Sequence, residues 1–306
     1  IGGSTGNQFQ SPRLTSPITL GSSIPMQFSK LISLVFLLVI APLVQGTRLV
    51  TIDGSITEIV VALGAENQIV GVDTTSTYPE EMKQLPQVGY MRALSAEGIL
   101  SLKPDLILAT QDAGPQDVLD QLTAANVNIL LLENRYDFPG VTEKIRRVAT
   151  AIGRVEEGNR LVSQLEQRFE NIQATIATTV GAAGEKPKVL FAMSAGKRGM
   201  MVAGTHTRAG AIIDLAGGLN VFSEFEGYKP LTPESLISKN PDIILVFHSP
   251  TGVEDLAENP ALAATNAAKN QHIYNVDKMD LLVFGPRINT AIEDLYQLMN
   301  LGLGQH

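Results

Sequence analysis

The 306-residue chain is acidic, with 23 Lys and Arg against 31 Asp and Glu, and 44% of it is hydrophobic. It has no basic stripe, which argues against nucleic acid as a partner. Cysteine is absent, excluding disulfides, thiolate metal sites and cysteine nucleophiles.

The first 46 residues carry no acidic side chain. Residues 1–25 begin with Ile, are rich in Ser, Gly and Pro, and are read as upstream or non-native sequence outside the fold. Met26 then opens MQFSK, LISLVFLLVIAPLV and QGTR. One Lys, an apolar run of about 14 residues and a small residue at Gly46 predict a secretory signal peptide over residues 26–46. A membrane span needs roughly 20 apolar residues; the alternative is an uncleaved amino-terminal anchor. No Cys stands at the cut, so a lipid anchor on a mature amino-terminal Cys is not expected. Export without disulfides fits a bacterial envelope.

RLVTID (residues 48–53) is a β-rich run. The spacing Ser55–Glu58 predicts a capping box before the helical IVVALG. QIVGVD is a second strand, Pro79 opens a short helix, and residues 85–90 approach a Gly-rich turn. LSAEGILSL is helical and ends at Pro104; DLILAT is an apolar strand. A helix over residues 115–125 and the strand VNILLLE follow. Apolar strands alternating with helices predict a parallel sheet covered on both faces. From Phe138 to about Val180 the pattern is helical, pausing at Gly153, with Leu161, Leu165, Phe169 and Ile172 on one stripe. This reads as a connecting strut. KVLFAMSAG and MMVAG are the next strands, THTRAGAIIDLAGG a helix stopped by Gly217-Gly218. A turn–helix–strand, a small helix with a strand, and a terminal helix complete the chain.

One segment recurs. LSAEGILSLKPDLIL (residues 94–108) matches LTPESLISKNPDIIL (residues 231–245) at an offset of 137, with seven of fifteen positions identical. A repeat this distant predicts two similar lobes rather than a solenoid. Glu97 and Glu234 occupy equivalent positions one turn into the repeated helices. They complement the helix dipole there, or form symmetric charged contacts with a two-fold partner. Tyr90, between Gly89 and Met91-Arg92, stands ahead of the first copy without a counterpart. It is either a loop tyrosine packing over the sheet or a phenolate donor to ferric iron, a role tyrosine fills for haem; Arg92 would favour the anion. Among the four histidines, His206 sits at a helix entry, as packing or as a ligand. His248 ends the strand after the second repeat, His272 reads as structural, and His306 is the last residue. HExxH, GxSxG, GxGxxG and GxxxxGK[ST] patterns are all missing, so no catalytic or nucleotide motif is indicated.

From about Arg48 onward the chain resembles the periplasmic haem-binding proteins of ABC haem importers, within the cobalamin and ferric-siderophore solute-binding superfamily. SITEIVVALGAENQIVGVD, YPEEMKQLPQVGYMRALSAEGILSLKPDLIL, AGTHTRAGAIIDLAGGLN, EGYKPLTPESL and FGPRINTAI carry the resemblance. The segment resembling ExILSLKPDLIL marks the superfamily; VGYMR is more specific and points to haem. The resemblance implies an α/β protein of two Rossmann-like lobes with central parallel sheets, joined by a long connecting helix. The boundaries expected are residues 47–138, 139–186 and 187–306. It implies a binding protein rather than an enzyme, with haem as the transported ligand and Tyr90 ligating its iron with Arg92 beside the oxygen. His206 is the candidate second ligand; Tyr228, Lys229 and Arg287 are candidates for the cleft and the propionates. Glu97 and Glu234 would meet the inner-membrane permease dimer, with an outer-membrane haem receptor upstream. Carriage of a ferric siderophore or cobalamin, or metal-dependent envelope chemistry, are the alternatives.

Overall fold

Four strands, β1 (Leu49–Ile52), β2 (Ile69–Val72), β5 (Leu106–Thr110) and β6 (Asn128–Leu132), form an all-parallel sheet in the order β2-β1-β5-β6. Leu49 lies opposite both Ile69 and Leu106, and alternation then sends successive residues to opposite faces. Val50, Ile52, Ile107 and Ala109 pack beneath α2 (Ala96–Ser101) and α3 (Gln116–Ala124). Leu49, Leu108 and Leu132 face α1 (Gly54–Ala62) and α4 (Phe138–Ala151). Both faces are therefore covered, as near-continuous apolar strands require. A two-stranded hairpin, β3 (Gly89–Tyr90) with β4 (Ala93–Leu94), stands apart from this sheet.

The computed structural model describes residue 1 and residues 46–194, 199–247, 260–276 and 280–303. Gly46–His306 is one compact unit. Apart from Ile1 and Gly46, the upstream segment and the expected signal peptide lie outside the described residues, as do His248 and His306. No described helix is long and apolar enough to cross a membrane.

After α4, Gly153 takes a positive φ of 69° and the chain re-enters helix as α5 (Val155–Ala183), 29 residues long. That length is roughly 43 Å at the usual rise per residue. The apolar stripe of α5 is Val162, Leu165, Phe169, Ile172 and Ile176. Phe169 stacks on Phe138 with ring centroids 3.9 Å apart.

The second lobe holds β7 (Lys188–Ser194), β8 (Met200–Ala203), β9 (Leu219–Asn220), β10 (Tyr228–Pro230), β11 (Ile243–Phe247) and β12 (Ile273–Asn275). Its order is β10-β8-β7-β11-β12, with β9 also on β7. Helices α6 (Arg208–Leu215), α7 (Pro233–Lys239), α8 (Pro260–Ala263), α9 (Asn266–Lys269) and α10 (Ile288–Leu303) accompany it. The expected parallel sheet is the centre of this lobe, β9-β7-β11-β12, and β8 and β10 add an antiparallel edge to it. Only residues 195–199 join β7 to β8, too few for a parallel crossover, which needs a dozen or more.

The repeat has a structural content that its letters only partly show. Ser95 and Thr232 cap α2 and α7, each hydroxyl accepting a backbone N–H at 3.2 Å. Lys103 and Asn240, at equivalent positions, both adopt left-handed φ (48° and 41°) to leave the helix. Asp105 then accepts the backbone N–H of Arg48 at 2.7 Å, and Asp242 that of Lys188 at 3.0 Å. Each repeat thus pins the first strand of its lobe's sheet.

The expected capping box is corrected as well. Helix α1 begins one residue before Ser55, and Asp53 caps it, accepting from Ser55 N at 2.9 Å. Glu58 turns away from the helix end and accepts from Arg287 at 3.0 Å. A buried carboxylate needs a cation more than a helix end needs a second cap.

Candidate functional site

Ligand sites in open α/β sheets lie beyond the carboxyl ends of the strands. In the first lobe those ends lead to Asp53 after β1, Asp112 after β5 and Asn134 after β6. The Tyr90 hairpin joins the same edge, since Gly114 N donates to Met91 O (2.8 Å) and Leu94 N to Gly114 O (3.0 Å). Thr74 N also donates to Gly89 O at 3.0 Å. Gly89 has φ 104°, and a Cβ there would come within 2.7 Å of Ala93 O, so only glycine closes this turn. Val88, Met91 and Leu94 are buried around it, while Tyr90 is 45% exposed. The turn is anchored by its neighbours and presents the phenol outward.

The expected neighbour of that phenol is placed differently. Arg92 forms its ion pair with Asp112, at 3.8 Å, and makes no hydrogen bond to Tyr90. It also faces the second lobe. Burial raises the Tyr228 phenol above its ordinary value, and the nearby Arg208 and Arg92 pull against that rise. The hairpin of the first lobe and β10 of the second therefore share one electrostatic environment.

On the second lobe, Thr207 caps α6, accepting from Gly210 N at 3.0 Å and donating to Gly204 O at 2.8 Å. His206, just before it, has a left-handed φ of 54° and an exposed ring with Nδ1 3.4 Å from Glu226. Backbone hydrogen bonds from Gly204 and Thr205 to Gly227 and Phe225 hold this loop beside Tyr228. Lys229 has its Nζ 4.7 Å from the centroid of the Phe225 ring and no carboxylate partner among the described residues. Arg287 is not a free cation. Its guanidinium binds Glu58 and Asp280 and lies 3.7 Å over the ring of Tyr78.

Beneath these groups runs a buried polar chain that the sequence reading missed. Asp53 accepts from Arg208 Nη2 at 2.5 Å, and Arg208 Nη1 donates to Leu282 O at 3.1 Å. Lys144 is almost wholly buried, donating to Ser55 Oγ (3.1 Å) and Phe284 O (3.3 Å) and approaching Asn134 Oδ1 (3.5 Å). Asn134 Nδ2 in turn donates to Asp112 at 2.7 Å. Burial alone would raise the Asp53 carboxyl, but Arg208 and Lys144 outweigh it and hold the group below its ordinary value. Burial pushes the Lys144 ammonium down to about 8, against the pull of Asp53. One signal for Lys144 was available: it falls on the helical stripe of Val141, Ile145 and Val148, all buried.

A cavity of about 490 Å³ is lined by residues 133–137 of the first lobe and by His206, Thr207, Asp214 and Asn220 among others of the second, and not by Tyr90 or Arg92. Of the sequence candidates, Arg92 acts on Tyr228 across the lobes, and Lys229 and the His206 loop flank Tyr228. Glu97 and Glu234 stand apart, both exposed on the equivalent helices α2 and α7, without a hydrogen bond or ion pair among the described residues. No cluster of three or more His, Asp or Glu among the described residues could hold a bare metal ion.

Comparisons with known proteins agree with this architecture. The chain is similar to the periplasmic heme-binding protein BhuT in complex with two hemes, at 36% identity and a TM-score of 0.80, covering 84% of this chain and 99% of that one. It is similar to the periplasmic heme-binding protein RhuT from Roseiflexus sp. RS-1 at 38% identity and a TM-score of 0.77, again over 84% and 99%. The vitamin B12-binding protein of Photorhabdus laumondii is 29% identical over 261 residues, 83% of this chain and 88% of that protein. The family described as periplasmic binding protein matches residues 49–279. With two α/β lobes and a connecting helix, this chain belongs to the periplasmic binding protein family.

Proposed function

We propose that this protein carries haem to an inner-membrane ABC importer, binding it at the Tyr90 hairpin with the phenol oxygen of Tyr90 on the iron. The observation that carries the reading is the hairpin itself: a tyrosine presented outward from a turn anchored by the buried Val88, Met91 and Leu94. Haem is flat, apolar and carries two carboxylates at one edge. Arg92 and Lys229 are the cations at this site whose charge is available to those carboxylates, because Arg208 and Arg287 are held by buried acids. His206 is the second-lobe group able to approach an iron from the opposite side. The similarity to two heme-binding proteins at over 35% identity supports the same ligand class.

Purified mature protein titrated with hemin should give a saturable Soret shift, and Tyr90→Ala should weaken binding sharply. An unchanged titration in that variant overturns the ligand assignment. Cobalamin is the second reading, favoured by the vitamin B12-binding relative. Binding of cobalamin without any uptake of hemin would establish it over the first.

The docking contacts are Glu97 and Glu234. Two other polar pairs of the repeat have structural work: Ser95 and Thr232 cap helices, Asp105 and Asp242 pin strands. The two glutamates have no such partner, yet both copies keep them, as a two-fold permease would require. Export through residues 26–46, without a lipid anchor, and an outer-membrane haem receptor upstream complete the proposed route. Charge reversal of both glutamates should leave hemin binding intact and abolish uptake in cells; normal uptake would reduce them to helix-favouring residues.

A further inference from the structure

Arg92 does not reach its position unaided. Asp112 lies in the loop after β5, whose Gly114 exchanges two backbone hydrogen bonds with the Tyr90 hairpin. The same loop is tied to the end of β6, where Gln111 N donates to Leu132 O at 2.9 Å and Asn134 Nδ2 donates to Asp112 Oδ2 at 2.7 Å. Asn134 is backed by Lys144, with Nζ 3.5 Å from its Oδ1. The carboxylate is therefore fixed from behind while the Arg92 guanidinium faces it at 3.8 Å from a side chain 62% exposed.

We propose that Asp112 is a positioning residue that stands in for a ligand carboxylate on Arg92, and thereby sets the affinity for carboxylate-bearing ligands. The proposal rests on the haem reading above. Asp112 is held by Asn134 and cannot follow Arg92, whereas Arg92 can turn. An incoming propionate competes with Asp112 for one guanidinium, so the empty site keeps its cation in place at the cost of part of its attraction for the ligand. A porphyrin without free carboxylates enters no such competition.

The test compares hemin with hemin dimethyl ester, titrated into wild-type protein and Asp112→Asn. Exposed ion pairs of this kind are worth about two- to fivefold in an equilibrium, so Asp112→Asn should tighten hemin by that factor and leave the ester unchanged. In an Arg92→Gln background the Asp112→Asn change should have no effect on hemin. Asp112→Ser supplies the same loss of charge should the Asn variant fold poorly. Equal changes for the two porphyrins, or unchanged hemin affinity, overturn the proposal, because a loop that was merely loosened would affect both ligands. Failure of wild-type protein to bind either porphyrin overturns the haem reading instead.

Discussion

The two lobes use one scaffold for different ends. In each, a Gly–Tyr pair with the glycine at positive φ (Gly89 at 104°, Gly227 at 75°) precedes the repeated helix and strand. The spacing differs by one residue, which is why Tyr90 looked unpaired in the sequence: a constant offset of 137 aligns Tyr90 with Gly227 rather than Tyr228. In the first lobe the pair forms a free-standing hairpin with β4; in the second, Tyr228 enters the main sheet antiparallel to β8. That one-residue difference separates a tyrosine presented from a turn from one set in a sheet strand. Their exposure is similar, 45% for Tyr90 and 37% for Tyr228, and burial of the Tyr228 phenol still raises it above its ordinary value against the pull of Arg208 and Arg92.

The largest expected effect tests what joins the lobes rather than what distinguishes them. Asp53 of the first lobe is the shared anion of Arg208 and Lys144, and it also caps α1. Asp53→Ala leaves two cations buried without their counter-charge, and breaking such pairs costs about 3–5 kcal/mol. Urea unfolding should show the midpoint falling accordingly; a loss below about 1 kcal/mol would mean that the Asp53–Arg208 pair adds little to the other contacts between the lobes.

Next in size is the contrast between the tyrosines. Tyr90→Ala should weaken hemin about 100-fold or more, equivalent to about 2.7 kcal/mol, while Tyr228→Phe should cost only the contribution of one hydrogen bond, about 1 kcal/mol. Spectroscopic titration of the two variants side by side measures both. Equal losses would mean that the two tyrosines share the ligand's iron or edge equally, and the asymmetry drawn above would be lost.

Much of this was legible in the sequence, and the gaps have physical causes. Strand order alternating with helix is a local signal, so β1, β2, β5, β6 and the long α5 fall where periodicity places them. The repeat located Glu97 and Glu234 because identity at fixed spacing needs no structure. The Asp53–Arg208 pair joins residues 155 positions apart, and Glu58–Arg287 residues 229 apart. Neither separation leaves a periodic trace. Glu58 was read as part of a cap because local spacing allows it, and only the fold brings a cation to it. Lys144 is a charged residue on the apolar stripe of its helix, a local mark of burial, but the partners that make it consequential are distant in sequence.

Lys144 offers a test through pH. Its ammonium is faced by Asp53 and Asp112 and by the like charge of Arg208, and burial lowers it from 10.5 to about 8. Between those values the unfolded chain holds a proton that the folded chain has released, so stability rises with pH across this window. Urea midpoints measured from pH 8 to 10 should climb in the wild type and flatten in Lys144→Met. A slope unchanged by the substitution would assign the effect to another group.

The smallest effect returns to the scaffold that the lobes share. Asp105 and Asp242 each accept the backbone N–H that opens the first strand of their sheet, at 2.7 and 3.0 Å. Truncating either to Ala should cost about 1 kcal/mol, the net value of one such bond. The two will not match fully, because Asp242 also accepts from Asn266 Nδ2 at 3.3 Å and is the less exposed of the pair. Asp242→Ala should therefore be the more destabilising by a few tenths of a kcal/mol, the scale of a long, weak bond. If Asp105→Ala proves the costlier, the first lobe depends on its pinned strand more than the second. Strand pairing does not separate the two lobes here, since at this end β1 lies between β2 and β5 as β7 lies between β9 and β11.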